Sequence, residues 1–339
     1  MSEKAARQVL EYHERTKHHY ERYAISPGYM DWKNQPNPFR IYEGTEKVLL
    51  PFLREDPKAS YLDLYRRDRN LAVPVNLKSI AAFLELSLAL SAWKSVSGAK
   101  WALRINPSSG NLHPSEAYVV LPSFEGLRSA VCHYSPLYHA LEPTVQVPAV
   151  LWGRLQEHFG SPAFLVGLTS IFWRESWKYG ERAFRYCNHD VGHALACLSI
   201  SANLQGWKLT YLNTLSDRET DEILGLDRTP WEPLEAEHPD FLCVVCPSSL
   251  GHTPRSLKPE IVSDFAGLTT SGGPNRLSES HVKWDIIYET AVAAEKPFTV
   301  EKRITGEVRA FSDPIEVEMA AAGIIRQRRS GVAYDGRGS

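Results

Sequence analysis

The order of apolar and polar positions divides this chain into stretches of two periods. Across residues 76–93 apolar side chains recur at Ile80, Phe83, Leu84, Leu86, Leu88 and Leu90, a helical spacing with Asn76 placed as its N-cap. A shorter helical pattern holding Leu62, Leu64 and Tyr65 precedes it. Residues 5–23, 151–159 and 171–204 also read as helix, the last with a break expected at Asn188-His189-Asp190. Its second half, 191–204, carries Gly192, Ala194, Ala196, Ser199, Ser201 and Ala202, a small-residue surface that lets a partner come close. Ser216, with Glu219 three positions later, forms a capping box for a short helix over 217–224. Four apolar runs, at 117–121, 130–134, 163–169 and 241–246, read as strands. The run at 130–134 is expected at a solvent edge as a hairpin partner, and 124–128 is expected to begin a short helix. Beyond Pro247, residues 269–275 have linker composition, 281–294 and 317–329 read as helices, and 297–309 reads as extended. Helices interspersed with antiparallel-compatible strands give an α+β class rather than a repeated βαβ pattern.

Composition narrows the function classes. The chain has 339 residues, with 43% hydrophobic and 23% charged positions and a formal net charge of −2. That balance gives no global pull toward nucleic acid or an anionic membrane. No apolar run reaches the roughly 20 residues that span a bilayer. The charged first residues lack the apolar core of a secretory signal, so the cytoplasm is the expected location. The five cysteines are scattered and odd in number, which argues against a disulfide framework. Cys243 and Cys246 lie inside an apolar run and read as core residues.

Three features could carry chemistry. The first is the loop Asn106-Pro107-Ser108-Ser109-Gly110-Asn111 just before a strand. Proline and glycine let the main chain turn sharply and approach a bound molecule, with serine, asparagine and backbone N–H groups as donors. A planar, electron-accepting ring would suit it; a plain turn explains the same residues equally well. The second is the stretch 179–193, which gathers two arginines, two histidines, Asp190 and two tyrosines beside an apolar helix. A structural network, for example Asp190 with Arg185, accounts for it, as does use in a site. His189 and His193 share the i, i+4 spacing of metal ligands, but no third ligand is evident nearby. The third is Lys178-Tyr179, which in a pocket could supply a general base and otherwise is an exposed lysine beside a packed tyrosine.

Taken in order, R-I-N-P-S-S-G-N-L-H-P-S-E-A-Y-V-V at 104–120 and K-Y-G-E-R-A-F-R-Y-C-N-H-D-V-G-H-A at 178–194 resemble two signatures of the nitroreductase-like flavoproteins, in particular the SagB/ThcOx-type dehydrogenases. The resemblance covers roughly residues 60–250. It implies a nitroreductase-like α+β fold with a mixed, mainly antiparallel sheet flanked by helices, working as a pair of domains with FMN between them. It implies flavin contacts from Pro107, Ser108, Ser109, Gly110 and Asn111. Phosphate contacts would come from Arg66, Arg67 and Arg69, where Asp68 stands in place of the family's serine and is expected to weaken the grip. Lys178 and Tyr179 match the pair that removes a proton during azoline oxidation in peptide maturation. The implied substrate is a small molecule or a peptide.

The stretch I-I-R-Q-R-R-S-G at 324–331 resembles the start of a second such domain. The expected organisation is therefore an extension at 1–59, a flavin domain at 60–250, a connector at 251–323 and the start of another domain at 324–339. The expected partner is a second copy of the chain or that second domain. A non-catalytic scaffold or peptide-binding half is the rival expectation, and a metal-dependent hydrolase built on His189, Asp190 and His193 a third.

Overall fold

The computed structural model describes residues 2–65, 72–160, 162–249, 253–301, 319–331 and 336. Its helices are α1 (Glu3–Thr16), α2 (Leu77–Leu88), α3 (Ala149–Phe159), α4 (Phe172–Tyr179), α5 (Ala183–Leu204), α6 (Asp217–Leu224), α7 (Pro259–Ala266), α8 (Asp285–Ala294) and α9 (Ala321–Gln327). The strands are β1 (Tyr42–Glu43), β2 (Val48–Leu49), β3 (Leu90–Val96), β4 (Ala99–Arg104), β5 (Ser115–Leu121), β6 (Ala130–Ser135), β7 (Ala140–Gln146), β8 (Phe164–Ser170), β9 (Trp207–Tyr211), β10 (His238–Pro247) and β11 (Gly273–Pro274). Among the described residues a seven-stranded sheet runs in the order β2-β7-β6-β5-β8-β10-β9, antiparallel at each pairing.

The apolar runs form the centre of this sheet because both its faces are covered. Every residue of β5, β6 and β8 is buried. Gly167 in β8 lets α6 sit directly on the sheet, since an added Cβ would lie 3.0 Å from Leu224 Cδ1. Helix α2 is buried nearly all round. It starts at the expected cap, with the Asn76 side chain accepting from the Ser79 N–H and the Ser79 hydroxyl accepting from the Asn76 N–H. Against it lies α5, whose Ser201 hydroxyl donates to the Phe83 carbonyl at 2.7 Å. The expected capping box of Ser216 and Glu219 is likewise present on α6.

Several expectations are corrected. The helical pattern at 76–93 ends at Leu88, and Leu90–Val96 turns into a strand paired with β4 in a separate two-stranded hairpin. Strand β6 is internal and buried rather than at a solvent edge, because β7 pairs along its other side. Phe124 and Leu127 close a tight turn by mutual backbone hydrogen bonds, so no helix starts there. The long helical region breaks at Gly180 instead of 188–190. Gly180 has φ +53°, and a Cβ there would lie 2.7 Å from the Ile25 carbonyl oxygen. The N-terminal segment presses on that corner, and α5 then runs unbroken for 22 residues. The expected extended stretch 297–309 is described only up to Glu301. No described helix is long and apolar enough to cross a membrane.

Candidate functional site

The sequence-predicted loop and the Lys178–Tyr179 pair, 67 residues apart at their nearest, meet in space. Helix α4 ends at Tyr179, and the loop enters β5 beside it. Gly110 sits at φ +60°, and a Cβ built on it would lie 2.5 Å from the Tyr179 hydroxyl and 3.0 Å from Lys178 Nζ. Only a residue without a side chain admits both groups so close to the main chain. Lys178 Nζ also lies 5.2 Å from the centre of the Tyr179 ring, and Tyr186 of α5 packs on that ring at 4.4 Å. Lys178 and Tyr179 are half-buried, and Lys178 forms no salt bridge with any described residue.

Asp190 anchors the loop from the α5 side. Its carboxylate accepts from the Ser109 N–H at 2.9 and 3.0 Å and from the Ser109 hydroxyl at 2.9 Å. The expected pairing of Asp190 with Arg185 is therefore corrected. Arg185 reaches α1 instead, donating to the His13 carbonyl and the Thr16 hydroxyl, both at 2.9 Å. Ser108 Oγ accepts from the His113 N–H at 2.8 Å, and Asn111 Nδ2 donates to the Ala102 carbonyl at 2.9 Å. The serine donors thus stabilise the loop itself, while Asn106, also buried, keeps an unpartnered Oδ1.

One residue that the sequence reading missed completes the cluster. Glu175 lies one helical turn before Lys178 and Tyr179 on α4, is fully buried, and has no hydrogen-bond partner for either oxygen. Burial first, then the nearby Asp190 carboxylate, push its pKa well up, against the opposing pull of Lys178. Burial thus favours the protonated form of Glu175. Burial, Glu175, Tyr186 and Asp190 together push Tyr179 up to about 12, so its phenol stays protonated. Burial raises Asp190 too, against hydrogen bonds from Ser108 and Ser109. The spacing i, i+3, i+4 of Glu175, Lys178 and Tyr179 was the available signal for this third member.

The remaining predicted positions separate clearly. Arg66, Arg67 and Arg69 lie outside the described residues. Arg328, just after α9, is a described cation beside the loop, with Nη2 donating to the Ile105 carbonyl at 3.0 Å. His189 and His193 are exposed on α5 while Asp190 is buried, so the three do not converge. Among the described residues no group of three or more histidine, cysteine, aspartate or glutamate side chains could hold a metal ion. Cys243 and Cys246 are buried in β10, where burial pushes the Cys243 thiol well up.

Among solved structures, a candidate nitroreductase from Anabaena variabilis matches with a TM-score of 0.56 over 88% of this chain and 56% of that chain, at 21% identity. The fold is nitroreductase-like. A stretch of 128 residues, 37% of the chain, is 27% identical to a candidate nitroreductase of Methanocaldococcus jannaschii and covers 65% of that protein. The chain thus spans less than two thirds of either relative's length. A chain of the E. coli microcin synthetase McbBCD complex, with truncated pro-MccB17 bound, aligns at a TM-score of 0.43 and 18% identity over 74% of this chain and 95% of that one, too distant to carry weight. No protein-family model matches.

Proposed function

We propose that the chain is an FMN-dependent oxidoreductase of the nitroreductase superfamily, and more narrowly a SagB-like dehydrogenase that oxidises azoline rings in a small molecule or peptide. The observation that carries this reading is the contact of the Gly110 turn with Lys178 Nζ and the Tyr179 hydroxyl. The nitroreductase-like fold supports it.

The residues present fit the cofactor's chemistry. The side-chain-free Gly110 turn and the unbridged Lys178 Nζ meet at one spot. A ring that gains negative charge on reduction would be held there by Pro107, Ser108, Ser109, Gly110 and Asn111, with Lys178 as counter-charge once its amine has taken the substrate proton. Arg66, Arg67 and Arg69 are the proposed phosphate contacts. Bound there, FMN would supply a two-electron acceptor for the hydride leaving a substrate carbon.

The protein's own part is positioning and proton handling. Tyr179, held protonated, donates its O–H to an acceptor on the substrate. That leaves the Lys178 amine to take the proton from the carbon adjacent to the one that loses hydride. Buried Glu175, whose pKa burial pushes up, lies behind the pair and would serve as a second proton store. Asp190 keeps the loop closed on the site through three hydrogen bonds. We further propose that the exposed face of α5, with Gly192, His193, Ala196 and Ser199, meets either a second copy of the chain or a second nitroreductase-like domain.

Lys178→Ala tests the base. It is expected to lower azoline oxidation by at least about a thousandfold while the flavin stays bound, the scale of a lost general base. Unchanged turnover in that variant removes Lys178 from the role. A second reading, the non-catalytic scaffold, is favoured by one observation: the Ser109 donors are already taken by Asp190. A folded chain that retains no FMN would support it.

A further inference from the structure

A second cavity, of about 330 Å³, opens between the 35–39 stretch and the β3–β4 hairpin. Its wall is aromatic. The rings of Phe39 and Trp93 have centroids 6.2 Å apart, and Trp101 lines the same space. Lys100 Nζ stands 4.5 Å from the centre of Trp93. Trp93 is 47% exposed and Trp101 37%, large apolar surface left in water on a small hairpin.

The inner end of the cavity is Arg174 of α4, which is fully buried. Its Nε donates to the Asn37 carbonyl at 3.1 Å, and its Nη1 donates to the His113 carbonyl at 2.7 Å and to the Glu116 carboxylate. Nη2 has no partner. A guanidinium brings five N–H donors in a rigid fork, and a buried donor without an acceptor is costly. The nearest carboxylates already have other partners. Glu116 is already shared by Arg174, by Arg104 at 3.9 Å and by His133 at 3.1 Å. His133 also takes Glu142, and Glu237, which acts on Arg174 through space, is itself paired with Arg40 at 3.2 Å.

We infer that this cavity is a binding site for an aromatic carboxylate. The carboxylate would pair with Arg174 and Lys100, and the ring would lie against Phe39, Trp93 and Trp101. A cationic or purely apolar ligand would leave Arg174 Nη2 without an acceptor. Asn111 and Leu112 line the same cavity, so the ligand abuts the candidate site. The inference does not require bound flavin.

An aromatic carboxylate can be a free acid or the C-terminus of a peptide ending in an aromatic residue. Calorimetric titration of the full chain with indole-3-acetate, indole-3-acetamide, N-acetyltryptophan and N-acetyltryptophanamide separates these. Each acid is expected to bind about tenfold or more tightly than its amide, the worth of a charge-assisted pair. Lys100→Gln should weaken the acids severalfold and leave the amides unchanged, and Trp101→Ala should weaken all that bind. Tighter binding of N-acetyltryptophan than of indole-3-acetate assigns a peptide end, and the reverse a free acid. Equal binding of acids and amides, or no binding by a chain whose circular dichroism shows it folded, overturns the proposal.

Discussion

Gly110 is where a single hydrogen decides the geometry. Its positive φ and its closeness to Tyr179 and Lys178 both exclude a side chain. Gly110→Ala is expected to cost about 1–3 kcal/mol of stability through backbone strain alone. It should also push Lys178 Nζ and the Tyr179 hydroxyl off the loop, so FMN retention falls by more than turnover per bound flavin. Thermal melting and flavin content after desalting would read the two effects separately. A variant as stable and as yellow as the parent would show that the close approach has no functional weight. The sequence made this turn legible because Pro-Ser-Ser-Gly-Asn is a strong turn signal. The partners of its donors were not legible, since Asp190 is 81 residues from Ser109 and nothing local sets that distance. Arg185 looked like the natural mate of Asp190 until α1 folded across it.

At the scale of elements, the sheet was read well wherever an apolar run was uninterrupted, as in β5, β8 and β10. The run at 130–134, expected at a solvent edge, is instead the internal strand β6, which carries His133 and Ser135 buried. The structure explains those polar residues. His133 is held between Glu142 at 2.9 Å and Glu116 at 3.1 Å inside the sheet's buried ionic network. Burial alone would keep the imidazole neutral, but these carboxylates overcome it and raise its pKa to about 9. An unfolded histidine titrates near ~6.5. The folded state therefore binds the proton more tightly, and the stabilisation is complete below ~6.5 and lost as pH rises toward about 9. Urea unfolding across that window should show stability dropping by up to ~3 kcal/mol, a slope that His133→Gln should flatten. A parent protein with no loss of stability over the window would contradict the charged assignment. The strand β3 escaped the sequence reading for a different reason. Leu90 continues the helical spacing of α2, and only pairing with β4 turns it outward.

The whole molecule is held together by segments on both sides of the 60–250 region. Helix α1 sends Arg15 to Glu181 at 2.7 Å, and β1 pairs with β11 from beyond residue 270. Arg326 of α9 bridges to Asp56 and Glu85, and Arg328 reaches the carbonyl of Ile105 at the base of the loop. Such contacts between distant parts of the chain leave no trace in local periodicity, which is why the sequence reads these segments as an extension, a connector and the start of another domain. On the reading proposed above, the loop at 106–111, with Lys178 and Tyr179, forms the seat of a flavin. Its most direct test is to incubate the purified chain with excess FMN, separate free flavin by gel filtration, and record the absorbance and flavin content of the protein peak beside the Gly110→Ala variant. A flavin spectrum is expected to travel with the folded parent chain and to be largely lost from the variant. A parent chain that elutes folded and colourless would contradict it.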